Sequence, residues 1–264
     1  MGIETDTKKN KYTIKTVETA MGILDHLLSK GKSVSVTDIG IALKINTNMA
    51  HRLMQTMTSA GYLVQNPETS KYSPSLKMLQ LGRIALNNME LRNRAFPYME
   101  SLWREIKVAN INLSVLQGKE IVVIDRIDSG GVPRTFTTPG KSLPAHASSM
   151  GKILLSELIE EEIIKITGTG NLPRFTQHTI PNYEQLLAEL EKVREEGVAW
   201  DIHEQIPNSC CVAAAIRNEE GKIIGAISLS SFEIYLSRDR MNEFVPQLQI
   251  AASHISFAMG FNNS

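Results

Sequence analysis

Apolar and polar positions in the amino-terminal quarter follow the spacing of three helices and a hairpin. Val17, Ala20, Met21, Leu24, Leu27 and Leu28 recur at helical spacing, which predicts an amphipathic helix over residues 16–28 with that stripe inward. Lys30-Gly31-Lys32 ends it. Ser35 and Asp38 have capping-box spacing, and Ile39, Ala42 and Leu43 give a short second helix its apolar side. After a tight turn at Lys44-Ile45-Asn46, Asn46 N-caps a third helix whose Ala50, Leu53, Met57 and Ala60 face inward, and Gly61 stops it. Tyr62-Leu63-Val64 and Lys71-Tyr72-Ser73, with the turn residues Asn66-Pro67-Glu68-Thr69 between them, predict two short strands. Three helices with a sharp turn before the last, followed by a two-stranded wing, make a winged helix-turn-helix.

Residues 76–91 are helical in pattern and read as a connecting helix. Strand and helix signals alternate beyond it. Phe96, Met99, Trp103 and Ile106 line one side of a helix, Ile111, Leu113 and Val115 alternate as in a half-buried strand, and Gln117-Gly118-Lys119 turns the chain into a partner strand over 121–127. Helices are expected at 150–158 and 183–196, the latter with Leu186, Leu187, Leu190 and Val193 inward. Strands at 211–217 and 222–230 are joined by Asn218-Glu219-Glu220-Gly221. A long helix from Ser237 closes the chain, its core face set by Met241, Phe244, Leu248, Ala251, Ile255 and Ala258. The expected division is 12–75 for the winged head, 76–91 for the connection and 92–264 for an α+β domain.

Composition agrees with two packed units: 264 residues, 42% hydrophobic and 21% charged. The first residues lack the apolar run of a secretory signal and no segment approaches a membrane span, so a cytosolic protein without membrane association is expected. The two cysteines, Cys210 and Cys211, are adjacent, which excludes a disulfide framework and a CxxC motif. The six histidines have no metal-site spacing, and neither metal nor cofactor is implied. Net charge is zero, yet residues 1–85 hold 11 basic and 6 acidic side chains and the remainder the reverse imbalance. A basic head on an acidic body suggests a polyanion partner for the head.

The third helix strengthens that reading. Opposite its core side lie Asn48, His51, Arg52 and Gln55, side chains suited to base edges, flanked by Thr47 and Thr56, which suit phosphate oxygens. No acidic residue occurs from Lys44 to Gln65, whereas an ordinary solvated helix face would normally carry one. Lys71 on the wing, with Lys8, Lys9, Lys11 and Lys15, could add phosphate contacts.

The chain resembles the IclR (isocitrate lyase regulator) family of bacterial transcription factors over nearly its whole length. The resemblance rests on Arg52-Leu53, Gly61-Tyr62-Leu63, Lys71-Tyr72 and Leu79-Gln80-Leu81-Gly82 in the amino-terminal part. In the second domain it rests on Gly140-Lys141-Ser142-Leu143-Pro144-Ala145-His146-Ala147, Gly151-Lys152, Leu172-Pro173-Arg174-Phe175-Thr176, Thr179-Ile180, Gly197-Val198-Ala199 with Asp201 and Glu204, and Cys211-Val212-Ala213. It implies a GAF-like effector domain, an antiparallel sheet with flanking helices, behind the winged head. It also implies a homodimer or homotetramer on a partly palindromic double-stranded operator, controlled by a small metabolite, often a carboxylate or an aromatic. Carried over by position, the effector pocket would be lined by Leu143, Ser149, Met150, Asp201, Ser209, Cys211, Ser228 and Ser230. Met150 is larger than the family's usual residue there, and Ile206-Pro207-Asn208-Ser209 and Ala215 also depart from the pattern. Asp201 fits beside a bound anion only when protonated or when it caps backbone donors. Ser228 and Ser230, two apart on one strand, share a face. His146 reads either as an effector contact or as a holder of the Pro144 loop, and the structural role is the preferred of the two.

Repression is the first reading of the sign. Two further readings stand beside the regulator. One makes the second domain a thiol hydrolase with Cys211 as nucleophile, His146 as base and Asp201 as orienting acid, although a strand is a poor setting for an activated thiol. The other makes the head a protein-interaction module.

Overall fold

The computed structural model describes residues 13–130 and 137–262. Its contacts divide the chain into two compact units, with the division between Ala85 and Leu86. The expected start of the head at residue 12, and Lys8, Lys9 and Lys11, lie outside the described residues.

The first unit holds helices α1 (Lys15–Lys30), α2 (Val36–Leu43) and α3 (Thr47–Ser59) and strands β1 (Leu63–Gln65) and β2 (Tyr72–Pro74). The inward stripe of α1 differs from the expected one. Ile23 and Leu27 are buried with Ala20 and Leu24 beside them, whereas Val17, Met21 and Leu28 are exposed. Ile23 completes the better i, i+3, i+4, i+7 set, and burying one such side chain contributes about 1.5–3 kcal/mol. Ser35 and Asp38 form a full capping box at α2, each side chain accepting from the other's backbone N–H. Lys44 adopts a left-handed conformation and Gly40 lies so near the Ile45 carbonyl that a β-carbon would sit 3.2 Å from it, which closes the turn into α3. Asn46 caps α3 through Met49 N–H. Tyr72 is wholly buried at the centre, its backbone exchanging two hydrogen bonds with Val34, so the wing is stitched to the start of α2.

The expected helix over 76–91 is two helices. α4 (Leu76–Asn87) ends before an extended Met89, and α5 (Glu90–Ile106) begins there. Asn87 and Asn88 are weak helix formers, and Asn93 Nδ2 holds the freed Asn87 carbonyl at 2.9 Å. On α5 the buried face is Leu91, Ala95, Met99, Leu102 and Ile106, one step round from the expected Phe96 and Trp103.

A six-stranded antiparallel sheet organises the second unit: β3 (Asn110–Gln117), β4 (Glu120–Ile127), β5 (Ser142–Leu143), β6 (Val198–Ile202), β7 (Ser209–Arg217) and β8 (Ile223–Phe232), in the order β5-β4-β3-β8-β7-β6. Strand β6 gives no distinct sequence signal because it follows α8 with one intervening glycine. β3 is covered on both faces at its start rather than half-buried. α5 and the terminal helices α9 (Arg238–Asn242) and α10 (Val245–Ala258) pack on one face with Ile111, Leu113, Val212, Ile227 and Leu229. The single closing helix expected from Ser237 is broken because Pro246, in the first turn of α10, cannot donate to a carbonyl of α9. On the other face lie α6 (Ser149–Leu155), α7 (Glu160–Thr167) and α8 (Tyr183–Glu196), over Ile121, Val123, Ala199, Ala213 and Ala226. Gly151 is required here: a β-carbon would fall 2.3 Å from the Ala145 carbonyl oxygen, so only glycine lets α6 lie on the loop before it. Among the described residues, no helix is long and apolar enough to cross a membrane.

Candidate functional site

In the head, Thr47, Asn48, His51, Arg52 and Thr56 stand exposed along α3, and Lys71 is exposed on the wing. Among the described residues the side chains of Thr47, Asn48, His51 and Arg52 make no intramolecular hydrogen bond, which leaves their donors and acceptors for an external partner. Thr56 Oγ1 donates to the Arg52 carbonyl at 2.8 Å. Gln55 departs from the expectation of a base reader. It is half-buried, and its Nε2 donates to the Tyr72 hydroxyl at 2.9 Å, because its place on α3 turns it toward the wing rather than outward. Lys71 lies near enough to Asp38 to help hold that carboxyl below its ordinary pKa, after the larger effect of the Ser35 hydrogen bonds.

In the second unit the register decides which pocket residues meet. Asp201 pairs with Cys211, Cys211 with Ser230, and Ser228 with Asn112, so these side chains share the sheet face that α6 covers. Asn112 Nδ2 donates to Ser228 Oγ at 3.2 Å and Ser230 Oγ at 3.0 Å. Ser149 and Met150 are buried at the start of α6, and Met150 joins Leu143 in the apolar cluster on this face. Leu143 itself is on β5, at the opposite edge of the sheet from Asp201. Ser209 is turned to its own loop, donating to the Ile206 carbonyl at 2.7 Å.

Asp201 Oδ1 accepts from the backbone N–H groups of Glu204 (2.8 Å) and Gln205 (3.3 Å), the capping role that removes its conflict with an anion. Burial, then the Glu204 charge, pushes its carboxyl up to about 7. Beside it the wholly buried Lys152 ammonium donates to Glu204 Oε1 (2.6 Å), Glu189 Oε1 (3.1 Å) and the Trp200 carbonyl (2.8 Å). Burial raises Glu204 as well, against the pull of Lys152.

Among the described residues His146 makes no hydrogen bond to Cys211 or Asp201, so the hydrolase arrangement is not assembled. Burial holds the Cys211 thiol well above its ordinary pKa, so it stays protonated near neutrality. His146 Nε2 bonds the Pro173 carbonyl at 2.9 Å, its ring packs beside Phe175, and burial depresses its pKa; this is the structural role expected of it.

Sequence reading missed Asn110, Asn112 and Ser114. All three are fully buried on β3, facing the Ser228 and Ser230 side. The signal was present: polar residues at every second position of an otherwise apolar strand.

A winged helix-turn-helix presenting an unpaired polar helix face, followed by a helix-covered antiparallel sheet, defines a two-unit transcriptional regulator. The chain belongs to the IclR family of such regulators: the IclR helix-turn-helix domain matches residues 16–67 and the bacterial transcriptional regulator IclR C-terminal domain matches residues 83–257. It is 33% identical to the HTH-type transcriptional regulator KdgR of Dickeya chrysanthemi over 98% of this chain and 84% of that one. It is 30% identical to the HTH-type transcriptional repressor AllR of Escherichia coli, over 93% and 90%. Among solved structures, an IclR homologue from Microbacterium hydrocarbonoxydans complexed with 4-hydroxybenzoate superimposes with a TM-score of 0.74 at 22% identity, covering 92% of this chain and 98% of that one.

Proposed function

We propose that this regulator is a cytoplasmic repressor, without catalytic activity, whose grip on a partly palindromic operator changes when a small molecule occupies the helix-covered face of the sheet. The observation that carries the reading is the unpaired polar face of α3 in an acid-free stretch of chain. Arg52, Asn48 and His51 read base edges, Thr47 and Lys71 hold phosphates, Thr56 joins them when its hydroxyl turns from the Arg52 carbonyl, and Gln55 positions the wing. Leu143, Ser149, Met150, Cys211, Ser228 and Ser230 line the effector site, with Asp201 and Ser209 shaping its loop. The 4-hydroxybenzoate complex of the homologue and the repressor AllR support the ligand response and the sign.

Homodimerisation, with pairing of dimers into a tetramer, completes the reading. Val17, Met21 and Leu28 on α1 and Leu76, Leu79 and Ile84 on α4 leave large apolar side chains exposed, which a second copy would cover. Two copies place two α3 helices about one DNA turn, ~34 Å, apart. The test is retention of genomic fragments by the purified full chain across a salt series. Affinity is expected to fall steeply with salt, and Arg52→Ala to cost about 1–3 kcal/mol with relaxed base preference. Salt-independent retention would instead make the head a protein-interaction module.

A further inference from the structure

Three successive side chains on one face of β3 carry polar atoms that are buried without a hydrogen-bond partner: Asn110 Nδ2, Asn112 Oδ1 and Ser114 Oγ. Their residues are 0–1% exposed. Buried carboxamides and hydroxyls are rarely left unpaired, and three in line along a strand are not scattered defects. The cations beside this face are already paired. Arg126, opposite Asn112 in register, is held by Asp128 and the Thr137 carbonyl, and Lys152 is enclosed by Glu189 and Glu204. What this face still offers is neutral hydrogen-bonding capacity. Ser228 and Ser230 each accept from Asn112, which leaves their hydroxyl protons to donate.

We propose that Asn110, Asn112 and Ser114, with Ser228 and Ser230, form the recognition floor of the effector site and select a polyhydroxylated small molecule over its deoxy counterpart. The inference rests on the effector reading above and gives it a ligand class. A ligand hydroxyl both donates and accepts, so it answers Asn112 Oδ1 and, if the carboxamide turns over, its N–H groups equally. A carboxylate oxygen only accepts: it answers the Asn110, Ser114, Ser228 and Ser230 donors but not Asn112 Oδ1 as it is oriented here, whereas a hydroxyl answers all of them. Asn110 and Asn112 are about 7 Å apart along the strand, so one extended ligand bearing hydroxyls along its chain meets both. An apolar ring or alkyl chain over the same floor would seal these atoms from water with nothing in exchange.

The test uses the full-length protein and matched pairs: D-gluconate with hexanoate, D-glycerate with propanoate, and 4-hydroxybenzoate with benzoate. Unfolding temperature and calorimetric affinity are read for each. At least one hydroxylated member is expected to bind about tenfold or more tighter than its partner, and Asn112→Ala to abolish that preference. Asn112→Ser serves if the alanine variant does not fold. Equal affinity within the pairs, an unchanged preference in the variant, or no response to any probe would overturn the assignment and leave a seam filled by structural water. Retention of genomic fragments by unliganded Asn112→Ala, compared with wild type, separates the outcomes. Intact retention by a wild type that shows no ligand preference refutes the recognition floor alone, intact retention by a variant that has lost the wild-type preference supports it, and absent retention by the wild type refutes the regulator reading itself.

Discussion

The α3 face and the β3 face are built from the same kinds of side chain and treat them oppositely. On α3, Asn48, His51 and Arg52 are exposed and unpaired, so folding asks nothing of them and their chemistry is available to a partner. On the sheet, Asn112 donates to both Ser228 and Ser230 under α6, and Lys152 is closed between two carboxylates. Polar groups on the first surface can change without disturbing the fold. On the second, stability and recognition share the same atoms, and substitutions there must be read for both.

The largest expected effect comes from the ion pair that most separates the two surfaces. Lys152→Met leaves Glu204 in a buried place without its cation, which should destabilise the effector domain by about 3–5 kcal/mol. Both tryptophans, Trp103 and Trp200, belong to that unit, so urea unfolding followed by their fluorescence reports it directly. A loss below about 1 kcal/mol would mean that water already reaches Lys152 and that the sheet face is as open as α3.

Asp201 offers a smaller effect with a direction. Its folded carboxyl keeps its proton up to about pH 7, well above the value near 4 of an unfolded aspartate. The folded state therefore binds the extra proton in that interval, and the stability this brings is complete below about pH 4 and lost as pH rises through about 7. An asparagine side chain in its place would accept the same Glu204 and Gln205 N–H bonds without acquiring a charge. Asp201→Asn should gain on the wild type by about 2–4 kcal/mol between about pH 4 and 8, measured as the difference in urea midpoints, with no further change at higher pH. A difference that stays flat across the series would place Asp201 in contact with solvent.

How much of this could be read beforehand follows from the same contrast. Surface chemistry of a helix is a local matter of helical period, and the exposed α3 residues, the Asn46 cap and the Ser35–Asp38 box could all be found from spacing alone. So could the β7–β8 hairpin and α8. Partnership across a sheet depends on register, which links residues more than a hundred positions apart, such as Asn112 and Ser230. No local pattern encodes that pairing, and the β3 floor was passed over although its alternation was visible. Lys152 shows the same blindness: it stood in a recognised motif, but its carboxylates come from α8 and the loop after β6. Gly151 could be recognised as part of that motif, while its reason, the Ala145 carbonyl beneath it, needs the packed structure. Helix breaks at 88–89 and 243–244 were masked by apolar spacing that continues through them.

Gln55 lies between the two kinds of surface and gives the smallest and sharpest test. Spacing along α3 puts it with the readers, whereas the structure spends its carboxamide on the Tyr72 hydroxyl. Gln55→Leu removes one hydrogen bond, a net loss of about 0.5–1.5 kcal/mol, and leaves the wing less firmly held against α3. If Gln55 only positions the wing, fragment binding should weaken by a similar amount on every sequence, while base preference at each operator position is kept. A reader would instead lose discrimination at one base pair, by about 1–3 kcal/mol, with little change elsewhere. Binding measured over a library of single-base operator variants separates these outcomes. Uniform weakening would leave the reading surface of α3 to its exposed residues, with Gln55 on the structural side of the boundary.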